Sequence, residues 1–408
     1  MSKRKPRLLV SASTFPLVLG DAEPPFVYEL CKRLAPFFRL IVLAPASTGK
    51  AGWDRVGQVR VYRYRYAWKG AQRLAYSGGM LPNLRHRPWL LAVVPFFLLA
   101  QILAAYRFLC RWRPQVVHSH WLFPQGWAMA VAQMLARADT PLLLTSHGGD
   151  LFGLRGPLFD ALLRFTLMRS QGASVVSNAM VDALRQRFPA HPCGQVLVRS
   201  MGVDTALFAP ATQPQLGQRL LFVGRLVEKK GVHVLLAALE LLHRRGCRVG
   251  LDIVGDGPQR VALEAQSQQL QLGGCVRFLG REPNELLRVR YQAALAVVMP
   301  SVVASGGDQE GLGLVAVEAM SCGAIVVASD LPALHDVIDH ERNGYLFPAG
   351  DVQALSERLR QLVESPEAIG SLRLQARNDA ISRFDWPQVA LTYKDWIIKH
   401  SKPDEGNA

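Results

Sequence analysis

The feature that most limits what this chain can fold into is a rhythm of short, near-continuous apolar runs, each bounded by turn residues and followed by a helical pattern. Runs that are apolar at every position suit burial on both faces, so they read as parallel strands joined by crossover helices. In the first half they fall at 7–12, 40–43, 116–118, 142–145 and 174–176. In the second half 220–223, 249–254, 276–279, 296–299 and 325–328 repeat the rhythm. The predicted fold class is α/β, two doubly wound sheets in series. Length agrees, because 408 residues exceed one compact core and suit two domains of about 200 residues each. Between them, 208–215 is rich in proline and polar residues and carries no period, as a linker does. The expected domains are therefore 1–208 and 209–385. Phe384-Asp385-Trp386-Pro387 then breaks the pattern, a last helix follows within 386–408, and the tail from Ser401 reads as disordered.

Composition narrows the partners. Half the residues are hydrophobic and 19% are charged, a globular balance rather than a disordered one. A formal charge of +15 favours anionic partners such as phosphates, nucleic acid or acidic lipid without choosing among them. The six cysteines are scattered with no CxxC spacing, which predicts neither a zinc site nor a disulfide framework, and ordinary thiols in a reducing compartment. Near the N-terminus the apolar run Leu8-Leu9-Val10 is too short for the core of a secretion signal. No cleavage and a cytoplasmic protein are expected.

Two stretches bear on those partners. The segment 90–110 is almost continuously apolar and about as long as the ~20 residues of a membrane span. Pro95, Gln101 and Arg107 interrupt it, and Arg85, Arg87, Arg111 and Arg113 crowd its flanks. A helix packed on the N-terminal sheet is the leading reading, with a helix lying in an anionic membrane surface and a true span as the alternatives. The run Arg60-Val61-Tyr62-Arg63-Tyr64-Arg65-Tyr66 alternates basic and aromatic residues at strand period. It could stack and neutralise nucleic acid, or form an edge strand with arginines in solvent and tyrosines half buried.

Three segments could carry chemistry. Glu310-Gly311-Leu312-Gly313 leads from a polar, glycine-bearing loop at 305–309 into an apolar helical pattern ending near Cys322-Gly323. Such a loop points backbone N–H groups at the helix entrance and favours phosphate. Taken as one helix, Glu310 to Glu318 rises about 12 Å, roughly the reach from a sugar across a diphosphate to a ribose. Each carboxylate could then accept hydroxyl hydrogen bonds; the plainer alternative is a glutamate that caps the helix. Gly224, Arg225 and Lys230 follow the strand that opens the second domain, at the end where open parallel sheets bind ligands. The two cations could neutralise a diphosphate, or be loop cations in solvent. His147-Gly148-Gly149-Asp150 follows another buried run, and His118-Ser119-His120 ends the one before it. His147, His120 and Asp150 could hydrogen-bond a sugar, and Gly20, after the first strand, should open on the same side. No third ligand accompanies the His118/His120 pair, no Walker lysine motif is present, and no DxD triplet is present. Metal is not expected, and phosphate charge falls to side chains and helix ends.

Together these segments resemble glycosyltransferase family 4. Glu310 and Glu318, seven residues apart, resemble its E-x7-E motif; 222–226 with Lys230-Gly231, Gly202-Val203-Asp204 with Phe208 and Pro210, and Val254-Gly255-Asp256-Gly257-Pro258 match its second domain in order and spacing. His118-Ser119-His120-Trp121 and 147–150 carry the likeness into the first. The resemblance implies the GT-B architecture, two Rossmann-like domains facing a cleft, with the last helix crossing back to the first domain. It implies a nucleotide-sugar donor held by Arg225 and Lys230 at the diphosphate, Glu318 at the ribose, Glu310 at the sugar hydroxyls and His147 at the transferred sugar. Gly224, Gly311, Leu312 and Gly313 would line that donor site. It further implies transfer with retention, without metal or cofactor, to a glycan or lipid-linked acceptor in cell-surface polysaccharide or glycolipid synthesis. Two departures stand out: the first loop, 15–25, lacks the Gly-Gly pair common in the family, and Ala324 replaces a frequent proline. The rival readings are a nucleotide-sugar epimerase of the same fold, a basic nucleic-acid-binding protein and an inactive membrane scaffold. The charged set at 225, 230 and 310 favours the transferase, with no nucleic-acid partner.

Overall fold

The computed structural model describes residues 5–21, 25–76, 79–190, 196–212, 217–364 and 370–403. Parts of the expected linker (213–215), of the first loop (22–24) and of the tail (404–408), with Cys193, lie outside the described residues. The chain divides into two compact units. One comprises Met1–Val176, Met180–Arg199 and Val389–Ala408, and the other Ser177–Ala179 and Ser200–Gln388. The main division thus falls earlier than 208. Phe208 is buried, and its carbonyl accepts Ser321 Oγ at 2.5 Å and Arg377 Nη1 at 2.8 Å. Those bonds fasten the start of the expected linker to the second unit.

The first unit holds an eight-stranded sheet. In chain order its strands are β1 (Arg7–Ser11), β2 (Arg39–Pro45), β3 (Gly52–Val56), β4 (Val59–Tyr64), β5 (Val116–His120), β6 (Leu142–Ser146), β7 (Gly172–Val175) and β8 (Leu197–Val198). Their order across the sheet is 3-4-2-1-5-6-7-8, parallel throughout except for the β3–β4 pair. The second unit holds β9 (Arg219–Val223), β10 (Gly250–Val254), β11 (Val276–Gly280), β12 (Ala296–Met299), β13 (Val326–Asp330) and β14 (Tyr345–Pro348), ordered 11-10-9-12-13-14 and all parallel. All ten expected runs form strands. They do so because their apolar side chains are sealed on both faces, as with Leu8, Leu9, Val116, Val117, Leu220, Ala296 and Val298, all without solvent exposure. Strand order reverses at β1/β5 in one sheet and at β9/β12 in the other, and these switch points are where ligands bind in doubly wound sheets.

The tyrosine-arginine run corrects one expectation. β4 is not an edge, because β3 pairs outside it, and Tyr64 and Tyr66 are buried against Phe97 at ring distances of 5.6 and 5.0 Å. Buried rings offer no stacking platform for bases. Arg63, expected in solvent, is 1% exposed. Its guanidinium meets Asp54 at 2.7 Å, the Pro16 carbonyl at 2.6 Å and the Tyr76 hydroxyl at 2.9 Å, so it ties the loop after β1 to the β3–β4 hairpin. The apolar segment forms helix Val94–Arg111. Its inner face, with Phe97, Ile102, Ala105 and Leu109, is buried, and Gln101 reaches Ser11 Oγ at 3.3 Å.

Without the sealed Arg63 guanidinium the Pro16 carbonyl and the Tyr76 hydroxyl lose its hydrogen bonds, while Asp54, partly exposed, keeps Lys50 at 3.6 Å. Arg63→Ala should therefore lose about 2 kcal/mol of stability, seen as a lower urea midpoint. The exposed neighbour Arg65 provides the control: Arg65→Ala should stay within about 0.5 kcal/mol of the parent. Equal midpoints for the two variants would contradict the anchoring role.

Candidate functional site

In the second unit, three connections meet at the β9/β12 switch point, and they meet backbone to backbone. A Cβ on Gly231 would lie 1.8 Å from the Pro300 carbonyl oxygen, and one on Gly255 would lie 1.8 Å from that of Gly224. Gly231 also takes φ +62 and Gly255 φ +137, a region that glycine alone enters cheaply. After β9 the chain passes Gly224 and Arg225 into a short 3-10 turn, Glu228–Lys230. That turn clips the loop after β12 at successive points. Glu228 accepts the Ser305 N–H at 2.7 Å, Lys229 Nζ donates to Asp308 at 3.0 Å, and Lys230 Nζ donates to Glu310 Oε2 at 2.5 Å. A polar loop without secondary structure of its own is thereby held to a strand end.

The two glutamates receive opposite treatment. Burial pushes the Glu310 carboxyl up, but the charge and hydrogen bond of Lys230, with Lys229 and the Gly311 N–H, outweigh it and hold the group below the ordinary value. Burial also raises Glu318, to about 7, and a hydrogen bond from Tyr291 only partly offsets it. Tyr291 is itself sealed from solvent and donates its hydroxyl to Glu318 Oε2 at 2.9 Å. Arg225 is half buried; burial first, then the like charge of Arg281, lowers its pKa. Two guanidinium groups under mutual repulsion at a strand end favour an anion between or beside them.

The helix carrying Glu318 runs only over Leu314–Ser321, with Gly313 at its N-cap in the left-handed region. Glu310 therefore stands in the loop, and neither the expected rise of one continuous helix between the glutamates nor the capping alternative applies. Gly311 and Leu312 are buried in the approach to that helix. Gly313 has φ +90, and a Cβ there would meet Leu334 at 2.8 Å, so the entrance admits no larger residue without repacking.

In the first unit the ends of β5 and β6 bring three histidines together. His147 Nε2 lies 3.0 Å from His120 Nδ1, and the two rings stack at 5.3 Å. His118 lies 4.4 Å from His120, ring to ring, and its Nε2 bonds Thr145 Oγ1 at 2.7 Å. Burial holds all three neutral, pushing His118 and His147 down to about 3 and His120 well below its usual value. Phe26 and Trp121 close on the His147 ring at 4.7 and 5.0 Å. His147 keeps partial exposure, whereas His120 and Asp150 are buried. His120 and Asp150 thus lie beneath the partly exposed His147 ring and bond the groups around it. Asp150 accepts Ser146 Oγ at 2.7 Å and the Leu122 N–H at 2.6 Å, fastening the turn after β6 to the loop after β5. Gly20 is exposed at φ +79 in the loop after β1, where Asp21 accepts the Leu17 N–H at 2.9 Å. Among the described residues no three His, Cys, Asp or Glu side chains gather to hold a metal.

Comparison with known proteins gives this geometry its family. A model described as Glycosyltransferase Family 4 matches residues 26–207, and one described as glycosyl transferases group 1 matches 207–382. The chain is 32% identical over 290 residues to glycogen synthase of Mycobacterium tuberculosis (strain H37Rv), covering 68% of this chain and 67% of that one. The chain belongs to glycosyltransferase family 4. Similarity also extends, at 32% identity over 270 residues, to the phosphatidyl-myo-inositol mannosyltransferase of Mycobacterium leprae, with 65% of this chain and 67% of that one covered. A crystal structure of Anabaena Alr3699/HepE in complex with UDP and glucose superposes with TM-score 0.71 at 19% identity, covering 96% of this chain and 99% of that one. The fold of this glycosyltransferase is accordingly GT-B, two parallel-sheet α/β domains.

Sequence reading missed Tyr291 as the partner of Glu318, and Glu228 and Lys229 as clips on the loop. Tyr291 lies far from Glu318 along the chain, inside helix Asn284–Ala293, and gives no local signal. Lys229 was visible as a charge but not separable from Lys230.

A carboxyl raised by folding binds its proton more tightly in the native state than in the unfolded chain. Stability therefore falls as pH climbs from the ordinary 4.5 toward about 7, and the loss is complete above that. The wild-type minus Glu318→Gln difference in unfolding free energy should decline by roughly 1–3 kcal/mol across that window. Tyr291→Phe should move the midpoint upward, since the lost hydrogen bond favoured the charged form. A difference that stays flat with pH would remove the assignment.

Proposed function

We propose that this glycosyltransferase works with retention at the anomeric carbon and without metal or cofactor, moving a sugar from a nucleotide-sugar donor to a glycan or lipid-linked acceptor. The observation that carries this reading is the Lys230–Glu310 pair at the β9/β12 switch point, on the same connection after β9 that carries Arg225. Phosphate charge can be met there by two side-chain cations and by the N–H groups of the entrance at Gly311, Leu312 and Gly313, leaving no need for a bridging metal. Arg225 offers a planar fork and Lys230 a point charge to the diphosphate. Glu310, kept ionised by Lys230, accepts hydroxyl hydrogen bonds from the transferred sugar, and Glu318 reads the ribose. His147, neutral and held in one ring orientation by His120, is the first unit's group for bonding a sugar, and Gly224 in the second unit allows the backbone to approach the donor.

In the reaction the bond between the anomeric carbon and the leaving phosphate oxygen breaks as the acceptor oxygen bonds the same carbon on the same face. The acceptor proton passes to the departing phosphate, so no side chain acts as nucleophile. HepE, of the same fold, is described with UDP and glucose, which supports a nucleotide-sugar donor. Relatives named for glycogen and phosphatidyl-myo-inositol support a glycan or a lipid-linked acceptor, as in polysaccharide or glycolipid synthesis. The free thiols of Cys31, Cys110, Cys247, Cys275 and Cys322 suit a reducing cytoplasm.

A screen of nucleotide sugars for a rise in melting temperature identifies the donor. With that donor and an acceptor, Lys230→Ala and Glu310→Gln should each lower turnover by about 10²-fold or more without changing the circular dichroism. The product anomer, read by proton NMR coupling, should match the donor, and chelator should leave the rate unchanged. An inverted product or chelator sensitivity refutes the mechanism. Donor conversion that proceeds equally without acceptor would assign epimerase chemistry instead.

A further inference from the structure

The helix Val94–Arg111 is apolar on both sides. Its inner side is packed into the first unit, yet Phe96, Leu99 and Leu103 on its outer side are 62%, 53% and 52% exposed. With Tyr106 they recur at helical spacing and make one continuous stripe, which the exposed Trp89 and Leu91 extend toward the start of the segment. Contiguous apolar surface of this kind marks a contact face. Arg107 and Arg111, both exposed, fall one turn apart along the border of the stripe. Exposed Arg87 and Arg113 lie beyond its two ends.

Charge selects what covers it. From Arg55 to Ala138 the chain contains no aspartate or glutamate, so the charged side chains on the helix and in the chain segments flanking it are cationic. A second copy of the same face would oppose arginine to arginine. We propose that this stripe docks on an anionic lipid bilayer, with the helix lying in the interface plane. Phe96, Leu99 and Leu103 enter the boundary between headgroups and acyl chains, Trp89 and Tyr106 sit at headgroup level, and the arginines extend to lipid phosphates.

The segment Pro88–Arg111 is long and apolar enough to cross a membrane, but its inner face is already committed. Gln101 is sealed from solvent and bonded to Ser11 Oγ at 3.3 Å and the Gln125 carbonyl at 3.4 Å. Spanning would tear those groups from their partners. Docking leaves them in place and holds the first unit at a membrane, where a lipid-linked acceptor would be found.

The test uses the full chain with phosphatidylcholine vesicles, prepared with and without phosphatidylglycerol, in a flotation assay at two salt concentrations. Wild type should bind the anionic vesicles at least about tenfold more tightly than the neutral ones and be released by salt. Leu99→Ser with Leu103→Ser should weaken that binding roughly tenfold or more, and Arg107→Glu with Arg111→Glu should weaken it roughly 25-fold. Circular dichroism, and turnover of donor with a water-soluble acceptor, should be unchanged in both variants, which separates loss of docking from loss of the site. Equal binding to both vesicle types, or binding indifferent to both variants, overturns the proposal. So does a dimer in sedimentation that the Leu99→Ser, Leu103→Ser variant dissolves, which assigns the face to a second copy.

Discussion

The pairing of β9 with β12, through Leu220 with Ala296 and Leu221 with Val297, is the contact on which the donor-side chemistry depends. Both strands are buried on both faces, so neither can slide without exposing apolar surface or breaking its ladder. Their connections leave the sheet at the point where strand order reverses. The loop after one strand must therefore pass the loop after the other, and Gly231, against the Pro300 carbonyl, lets the backbones approach closely enough to do so. Lys230 and Glu310 are neighbours for this reason, although 80 residues of sequence separate them.

Burial alone raises the pKa of both glutamates. At Glu310 a lysine within direct hydrogen-bond reach reverses that effect, whereas at Glu318 a phenol can only moderate it. An ammonium stabilises the carboxylate both by charge and by hydrogen bond, and a neutral hydroxyl only by the latter. Two residues of one type in one motif thus enter the site in different protonation behaviour. The first unit applies the same economy to histidine: His118, His120 and His147 are all kept neutral by burial, but one retains a surface and two serve as its backing.

Much of the architecture was legible in the residues. Runs such as 296–299 form strands with the expected bounds, since a segment apolar at every position has few other ways to bury itself. The hairpin of β3 and β4 was less legible, because its alternation of arginine and tyrosine suits either a solvated edge or an inserted strand. Only the added pairing of β3, and the enclosure of Arg63 by Asp54, Pro16 and Tyr76, decides between them. Lys230 and Glu310 each follow an apolar run, which put both at strand ends in the sequence, but that they meet at 2.5 Å was not legible. That His120 and Asp150 are buried was not legible, because a polar residue near a strand end points either to solvent or back under the next loop, and spacing alone does not distinguish the two.

By itself the sequence determined two parallel α/β sheets, the chemistry-bearing loops at their strand ends and an apolar segment flanked by arginines. These follow from periodicity and composition, which are local and survive without knowledge of neighbours. The tertiary structure alone decided that the helix after Glu310 begins at Leu314, that Tyr291 is the partner of Glu318, that Arg63 lies inside, and that Val94–Arg111 keeps an uncovered apolar side. Each of these depends on which distant residue fills the space beside a side chain. That information is carried by packing between segments far apart in the chain, and no single segment contains it.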